Sequence, residues 1–205
     1  DLVAMFTNQP RFVLDIGCAA GGTGAVLKQQ YPQAQVWGIE TNRAAAGVAA
    51  TRLDKVLVGK FEEFDLEAEG IAKGSLDGVI VADVLEHMYN PWAVMVALQP
   101  YLSATAQVVI SIPNVRNLKL MEDLAAGFWR YDAAGLLDIT HIRFFTLKEF
   151  RRFLHETGFH VNFMRYGIDQ RLAAFFQANK DNEKLNVELG RMTLANVSKE
   201  ELSEL

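Results

Sequence analysis

Two acidic side chains, Asp15 and Glu40, are placed where two predicted strands end. Asp15 belongs to an apolar run that begins at Phe12, and a run of small residues, 17–22, follows it almost at once. Glu40 closes a second apolar run that begins at Gln35. Neighbouring parallel strands lie about 4.8 Å apart, so their carboxyl ends would bring both carboxylates to one crevice. The spacing predicts a small-molecule site there.

The residue types around this crevice indicate which ligand it would take. A carboxylate such as Glu40 suits the two hydroxyls of a ribose, which it can accept from together. Asp15 would repel a pyrophosphate and suits a cationic group such as the ammonium of an amino acid. A ribose at one end and an amino acid at the other describe S-adenosylmethionine. The nicotinamide-dinucleotide alternative needs G-x-G-x-x-G, whereas the run from Gly17 reads Gly-Cys-Ala-Ala-Gly-Gly.

A parallel sheet covered by helices would position these acids. After the strand around Asp15, a helical pattern runs from Thr23 to Gln30, with its N-terminal N–H groups directed at the turn. Three further strands are predicted at Lys55 to Gly59, Leu76 to Ala82 and Gln107 to Ile112. Strands alternating with helices predict an α/β fold with a Rossmann-like, doubly wound, mostly parallel sheet flanked by helices. An insertion follows the fifth strand.

The second half of the chain has a different texture. The insertion, residues 114–145, carries aromatic residues, glycines and arginines without a clean period. A helix from Leu147 to Thr157 follows, with Thr146 as its cap and Glu149 at capping-box spacing. A strand is predicted at 159–166. We expect a single domain, 1–205, with a core at 11–167 and a less defined C-terminal segment at 168–205, where 187–197 fits either a strand or the end of a helix.

Composition narrows the possible functions. The chain has 205 residues and a net charge of −5, without the basic excess typical of a nucleic-acid surface. It has one cysteine, Cys18, which fits a reducing cytosol and a packing role beneath the glycine turn. The sequence has no apolar run of about 18 residues, the length that would predict a membrane span, and no signal peptide is visible. The expectations are a cytoplasmic protein with no nucleic-acid partner; the sequence assigns no oligomeric state.

Three stretches carry a family resemblance. Residues 13–21 resemble the first motif of the class I S-adenosylmethionine-dependent methyltransferases, and residues 38–40 resemble the second. Residues 77–88 look like the fourth-strand motif of the branch that contains the ubiquinone- and menaquinone-pathway enzymes. Residues 111–117 and 135–146 are similar to a bacterial subgroup associated with surface-polysaccharide and secondary-metabolite assembly. Together they imply S-adenosylmethionine as cofactor and S-adenosylhomocysteine as product.

The resemblance also implies roles for individual residues. The methionine moiety would be surrounded by Asp15, Gly17, Ala19 and Gly21, and the ribose held by Glu40 beside Thr41. The adenine would meet Phe61 and Glu62, and the sulfonium would lie over Asp83 and Val84. Lys60 departs from the pattern, because an acid that accepts from the adenine amino group is common there. Glu62 replaces that acid, or stacking and backbone contacts hold the adenine alone, or affinity is weakened.

The acceptor is expected to be a small molecule or a saccharide, methylated at oxygen. Should the acceptor need a base, His141 and His87 are the candidates, with Asp138 and Glu86 as orienting partners; an already nucleophilic acceptor needs none. Aromatic residues at 128–131 and 144–145 predict a lid over the acceptor, or packing that anchors the insertion. Arg116, Lys119 and Arg130 are either solvated or meet an anionic group on it. No metal is expected. The alternative function is a cofactor-binding module without catalysis.

Overall fold

A computed structural model describes residues 2–167 and 169–205, and these form two compact units, Asp1–Ile112 and Pro113–Leu205. The N-terminal unit contains a parallel sheet of five strands, in the order β3-β2-β1-β4-β5. The strands are β1 (Phe12–Ile16), β2 (Gln35–Glu40), β3 (Lys55–Val58), β4 (Leu76–Ala82) and β5 (Leu102–Ser111). The helices between them are α1 (Gly22–Gln30), α2 (Arg43–Ala49), α3 (Leu66–Glu69) and α4 (Pro91–Leu98). This confirms the predicted fold class.

The central strands are buried on both faces, as near-continuous apolar runs in a parallel sheet should be. Val13 and Leu14 of β1 have no exposed surface, and neither do Val79 and Ile80 of β4. Asp15 pairs in register with Gly38 of β2 and with Ile80 of β4. The strand that carries the first acid therefore lies in the middle of the sheet.

Local side-chain chemistry fixes where the helices begin. Asn42 accepts hydrogen bonds from the N–H groups of Ala44 and Ala45, and Asn90 accepts from that of Ala93, so α2 and α4 each have a side-chain cap. Pro91 occupies the first turn of α4, where its missing N–H is not needed. The stretch 61–70 forms a short 3-10 turn at Phe61–Glu63 followed by α3.

The C-terminal unit is mixed. Its helices are α5 (Leu118–Ala125), α6 (Leu147–Glu156), α7 (Gln170–Ala178) and α8 (Lys199–Ser203), and its hairpin is β6 (Lys184–Leu189) and β7 (Met192–Ser198). Thr146 caps α6 by accepting from the N–H of Glu149, as its spacing predicts. A separate apolar core packs the unit, with buried members Leu118, Leu172, Leu185, Val187, Leu202 and Leu205.

The prediction of a strand at 159–166 is wrong. The chain there has no strand assignment, and its apolar side chains Val161 and Phe163 are 42% and 41% exposed. Apolar residues predict a strand only where another strand offers backbone partners and a core covers one face. The stretch 187–197, which fitted two structures, forms most of the hairpin. The insertion contains helix α5, which its lack of a clear period did not reveal.

Candidate functional site

Asp15 lies inside β1, one residue before its end, and is 2% exposed. Its Oδ2 accepts no hydrogen bond within the described residues. The first turn of α1 covers it closely, because a Cβ added at Gly24 would lie 3.7 Å from that oxygen. Burial, together with the charge of Glu40, raises the pKa of Asp15 to about 7. An ionised carboxylate here favours a cationic group nearby.

Glu40 ends β2 and ties two loops together. Its Oε2 accepts from the Ala19 N–H at 2.8 Å, and its Oε1 accepts from the Asn42 N–H at 2.7 Å. The Thr41 hydroxyl lies 3.3 Å from the same Oε1. Two carboxylate oxygens offer about four acceptor positions, so these bonds leave capacity for ribose hydroxyls. Glu40 has both a loop-holding contact set and the chemistry expected of a ribose ligand.

The turn after β1 requires an unusual backbone. Gly17 has φ +73°, and a Cβ added there would lie 2.2 Å from Val84 Cγ2. Gly21 has φ +74°. Ala19, which is not a glycine, has φ +46°. Strained backbone of this kind is retained where surrounding contacts fix it, often at ligand sites. The fold thus brings the small-residue turn against the loop that follows β4.

Asp83 repeats this strain at the next strand. It has φ +51° directly after β4, so two of the three non-glycine residues with positive φ among the described residues follow neighbouring strands. The Asp83 side chain is exposed, and its Oδ1 accepts from the Ser111 hydroxyl at 3.0 Å. Glu86 lies three residues on and is 1% exposed. Burial and the charge of Asp83 raise the pKa of Glu86 to about 7.

The segment that was expected to contact the adenine forms a turn. Phe61 is buried at 6% exposure, and Glu62 is exposed. Glu63, which the sequence did not single out, accepts from the Lys60 N–H at 3.0 Å. The sequence feature that could have identified Glu63 is its position three residues after Lys60. Lys60 thus takes part in the turn through its backbone N–H.

The two candidate bases lie in different units. His87 is exposed and belongs to a 3-10 turn, Leu85–His87, in the N-terminal unit. His141 is 8% exposed in the C-terminal unit, and its Nδ1 lies 3.2 Å from the carbonyl oxygen of Leu136. If Nδ1 donates that bond, the ring lone pair is on Nε2, the form that accepts a proton. Asp138, the expected orienting partner, accepts from the N–H and hydroxyl of Thr140.

Cys18 is a packing residue. It is 5% exposed in the core of the N-terminal unit, and a Cβ added at Gly38 would lie 2.5 Å from its Sγ. Burial and the charges of Asp15 and Glu40 raise the pKa of the thiol to about 12. A thiol that stays protonated is a poor nucleophile.

Comparisons with known proteins show the family and the fold of the chain. The model of the methyltransferase domain family matches residues 1–162, and the chain belongs to that family. The fold resembles that of an S-adenosylmethionine-dependent methyltransferase from Thermotoga maritima, with a TM-score of 0.59 and 18% sequence identity. The superposition covers 78% of this chain and 69% of that chain. It also resembles the plantazolicin methyltransferase BpumL in complex with S-adenosylhomocysteine, with a TM-score of 0.59, 20% identity, 77% of this chain and 59% of that chain.

One curated relative is named for a different class of acceptor, an RNA. The chain is 31% identical over 104 residues to the ribosomal RNA small subunit methyltransferase C of Haemophilus ducreyi. The matched part is 49% of this chain and 26% of that protein, so the chain spans about a quarter of its relative's length. The chain thus belongs to a methyltransferase domain family, and its fold resembles that of S-adenosylmethionine-dependent methyltransferases. Among the described residues, no helix has the length and apolarity to cross a membrane.

Proposed function

We propose that this protein transfers a methyl group from S-adenosylmethionine to an oxygen atom of a small-molecule or saccharide acceptor. The observation that carries the proposal is the pair of acids on neighbouring strands, Asp15 and Glu40, around a turn with positive φ. The residues fit the cofactor: Asp15 has a buried oxygen without a donor, and Glu40 has spare acceptor capacity. When bound, the cofactor would supply a methyl group on a cationic sulfonium.

The roles of the residues follow from the same geometry. Asp15 would attract the cationic end of the cofactor, and Glu40 would hold its ribose while fixing Ala19 beside it. Gly17 lets the turn approach Val84, and Asp83 with Val84 would line the floor under the sulfonium. Phe61 and Glu62 would flank the adenine. Since methyl transfer is an in-line displacement, positioning and exclusion of water supply much of the rate enhancement.

A base is needed only if the acceptor is a hydroxyl that must lose its proton. We assign that role first to His141, because the Nδ1 contact with the Leu136 carbonyl oxygen is consistent with a lone pair on Nε2. His87 is the second candidate. General base catalysis contributes about 10²- to 10⁴-fold, so His141→Asn should lower kcat by that order without changing affinity for S-adenosylhomocysteine.

The acceptor class rests on charge. The net charge of −5 argues against a long phosphate backbone as the partner, although a relative matched over 104 residues methylates ribosomal RNA. We therefore favour a small molecule or a saccharide. The single domain expected at 1–205, with 114–145 as an acceptor lid, belongs to this proposal, as does a cytoplasmic location.

The test is a thermal-shift titration of the whole chain with S-adenosylmethionine, S-adenosylhomocysteine and NAD. A ligand that binds only the folded state adds about 2.7 kcal/mol at a hundredfold excess over its Kd. Stabilisation by the first two and not by NAD is the expected result. Stabilisation by NAD alone would instead support the nicotinamide alternative, and binding without turnover on any acceptor would support the non-catalytic module.

A further inference from the structure

Aromatic side chains in the C-terminal unit remain open to solvent. Phe128, Trp129 and Tyr131 are consecutive but for one arginine, and are 44%, 38% and 55% exposed. Phe144, at 37% exposure, meets Trp129 edge-on with ring centroids 5.5 Å apart. We call residues 128–131 with Phe144 the aromatic patch. Large rings exposed side by side are uncommon on a surface that binds nothing.

The cation in this patch is held but not neutralised. The Arg130 guanidinium lies over the Phe128 ring, 3.9 Å from its centroid, within the range of a cation–π contact. Among the described residues, no carboxylate forms an ion pair with it. A guanidinium in a cation–π contact keeps its five N–H donors, which can donate to both oxygens of a phosphate or carboxylate.

Several of the neighbouring charges are engaged within the unit. Segment 113–145 has four basic and four acidic residues: Arg116, Lys119, Arg130, Arg143, Glu122, Asp123, Asp132 and Asp138. Arg116 donates to the Glu201 carbonyl oxygen, and Lys119 pairs with Asp123. Glu122 pairs with Arg171. Arg116 and Lys119, two of the three cations considered for the acceptor, are thus engaged within the unit, and Arg130 is the third.

We propose that the aromatic patch binds a small acceptor through one phosphate or carboxylate group at Arg130 and a ring stacked on its exposed side chains. The inference rests on the proposed function, for which it specifies the acceptor chemistry. One unpaired cation suits one anionic group, whereas an RNA needs several cations along its backbone. Aromatic faces suit the flat or apolar face of a ring, including that of a sugar.

The test uses three probes that separate the two halves of the ligand: phenyl phosphate, inorganic phosphate and benzyl alcohol. Each is titrated into the whole chain saturated with S-adenosylhomocysteine, with the Trp129 indole resonance as readout. Phenyl phosphate should bind about tenfold tighter than either other probe, since each contributes half of the contacts. Arg130→Gln should weaken phenyl phosphate about tenfold and leave benzyl alcohol unchanged.

Lys119→Gln is the matched control, since it removes an exposed cation of the same segment that is paired with Asp123. It should leave all three affinities unchanged. Equal binding of phenyl phosphate by wild type and Arg130→Gln, or an equal loss in Lys119→Gln, would overturn the inference. Competition by a single-stranded RNA would also overturn it, if the salt dependence of the RNA affinity corresponds to several phosphate contacts. Failure to bind S-adenosylhomocysteine counts against the proposed function instead, and calorimetry on the same sample detects it.

Discussion

The carboxyl edge of the sheet and the aromatic patch, the two proposed binding regions, are built by different means. The sheet edge is shaped mainly by its backbone. Gly17, Ala19 and Asp83 have positive φ, and Glu40 accepts hydrogen bonds from two backbone N–H groups. The patch is formed by side chains, through an edge-on contact between two rings and one guanidinium over a ring. Backbone geometry restricts which residues fit, whereas a patch of side chains can change one residue at a time. The comparison explains why the cofactor is easier to infer than the acceptor.

The largest expected effect tests whether the C-terminal unit has a core of its own. Leu118 is fully buried in α5, and Leu124 on the same helix is 56% exposed. Leu118→Ala should lower the free energy of unfolding by about 3 kcal/mol, and Leu124→Ala by less than about 0.5 kcal/mol. Urea unfolding measures both. Similar losses for the two variants would mean that α5 does not anchor the unit.

The next effect tests the turn at the sheet edge. Gly17→Ala introduces a Cβ 2.2 Å from Val84 Cγ2 at φ +73°, and should cost about 2–3 kcal/mol of stability. Gly74 has φ +70° with nothing within 4 Å of an added Cβ. Gly74→Ala therefore measures backbone strain alone, about 1 kcal/mol. Addition of Val84→Ala should recover part of the difference; no recovery would show that Val84 does not set the close approach.

A third change separates the two roles of Glu40. Glu40→Ala should weaken S-adenosylhomocysteine about 30-fold in calorimetry, about 2 kcal/mol, because a charged acceptor for the ribose is lost. Asn42→Ala removes two capping bonds of α2 without removing the carboxylate. It should cost about 1 kcal/mol of stability and leave the affinity unchanged. An equal loss of affinity in both variants would assign Glu40 to loop structure alone.

The last prediction concerns pH. The pKa of Asp15 is about 7 in the folded protein against an ordinary 3.8, so the folded state holds a proton that the unfolded state releases. Its contribution to stability is complete below about 3.8 and is lost as pH rises through about 7. Relative to Asp15→Asn, wild type should therefore lose stability as the pH rises from about 4 to about 8.

The pKa of Glu86 is also raised to about 7, but Glu86 is present in both proteins, so the difference between them isolates Asp15. Saturation with S-adenosylhomocysteine should reduce the dependence, because the ammonium of the ligand stabilises the ionised carboxylate. Parallel stability curves for wild type and Asp15→Asn, measured by urea unfolding across the pH range, would contradict this account of the buried acid.

The sequence by itself determined the sheet and the acids at its edge. The strands at 35–40 and 76–82 are predicted to the residue, because a parallel strand buried on both faces is a near-continuous apolar run. The cap at Thr146 is predictable because capping depends on residues three or four apart. Such signals are local, and a local signal survives without knowledge of the fold.

Only the tertiary structure decided how those acids are used and how the second half folds. Asp15 was expected to face the crevice directly, yet it lies 2% exposed beneath the first turn of α1, which depends on how closely Gly24 approaches it. The run 159–166 has strand-like residues but no strand, whereas 184–198 forms the hairpin. Burial, strand pairing and the unpaired charge of Arg130 all depend on residues distant in sequence, and a local pattern cannot specify them.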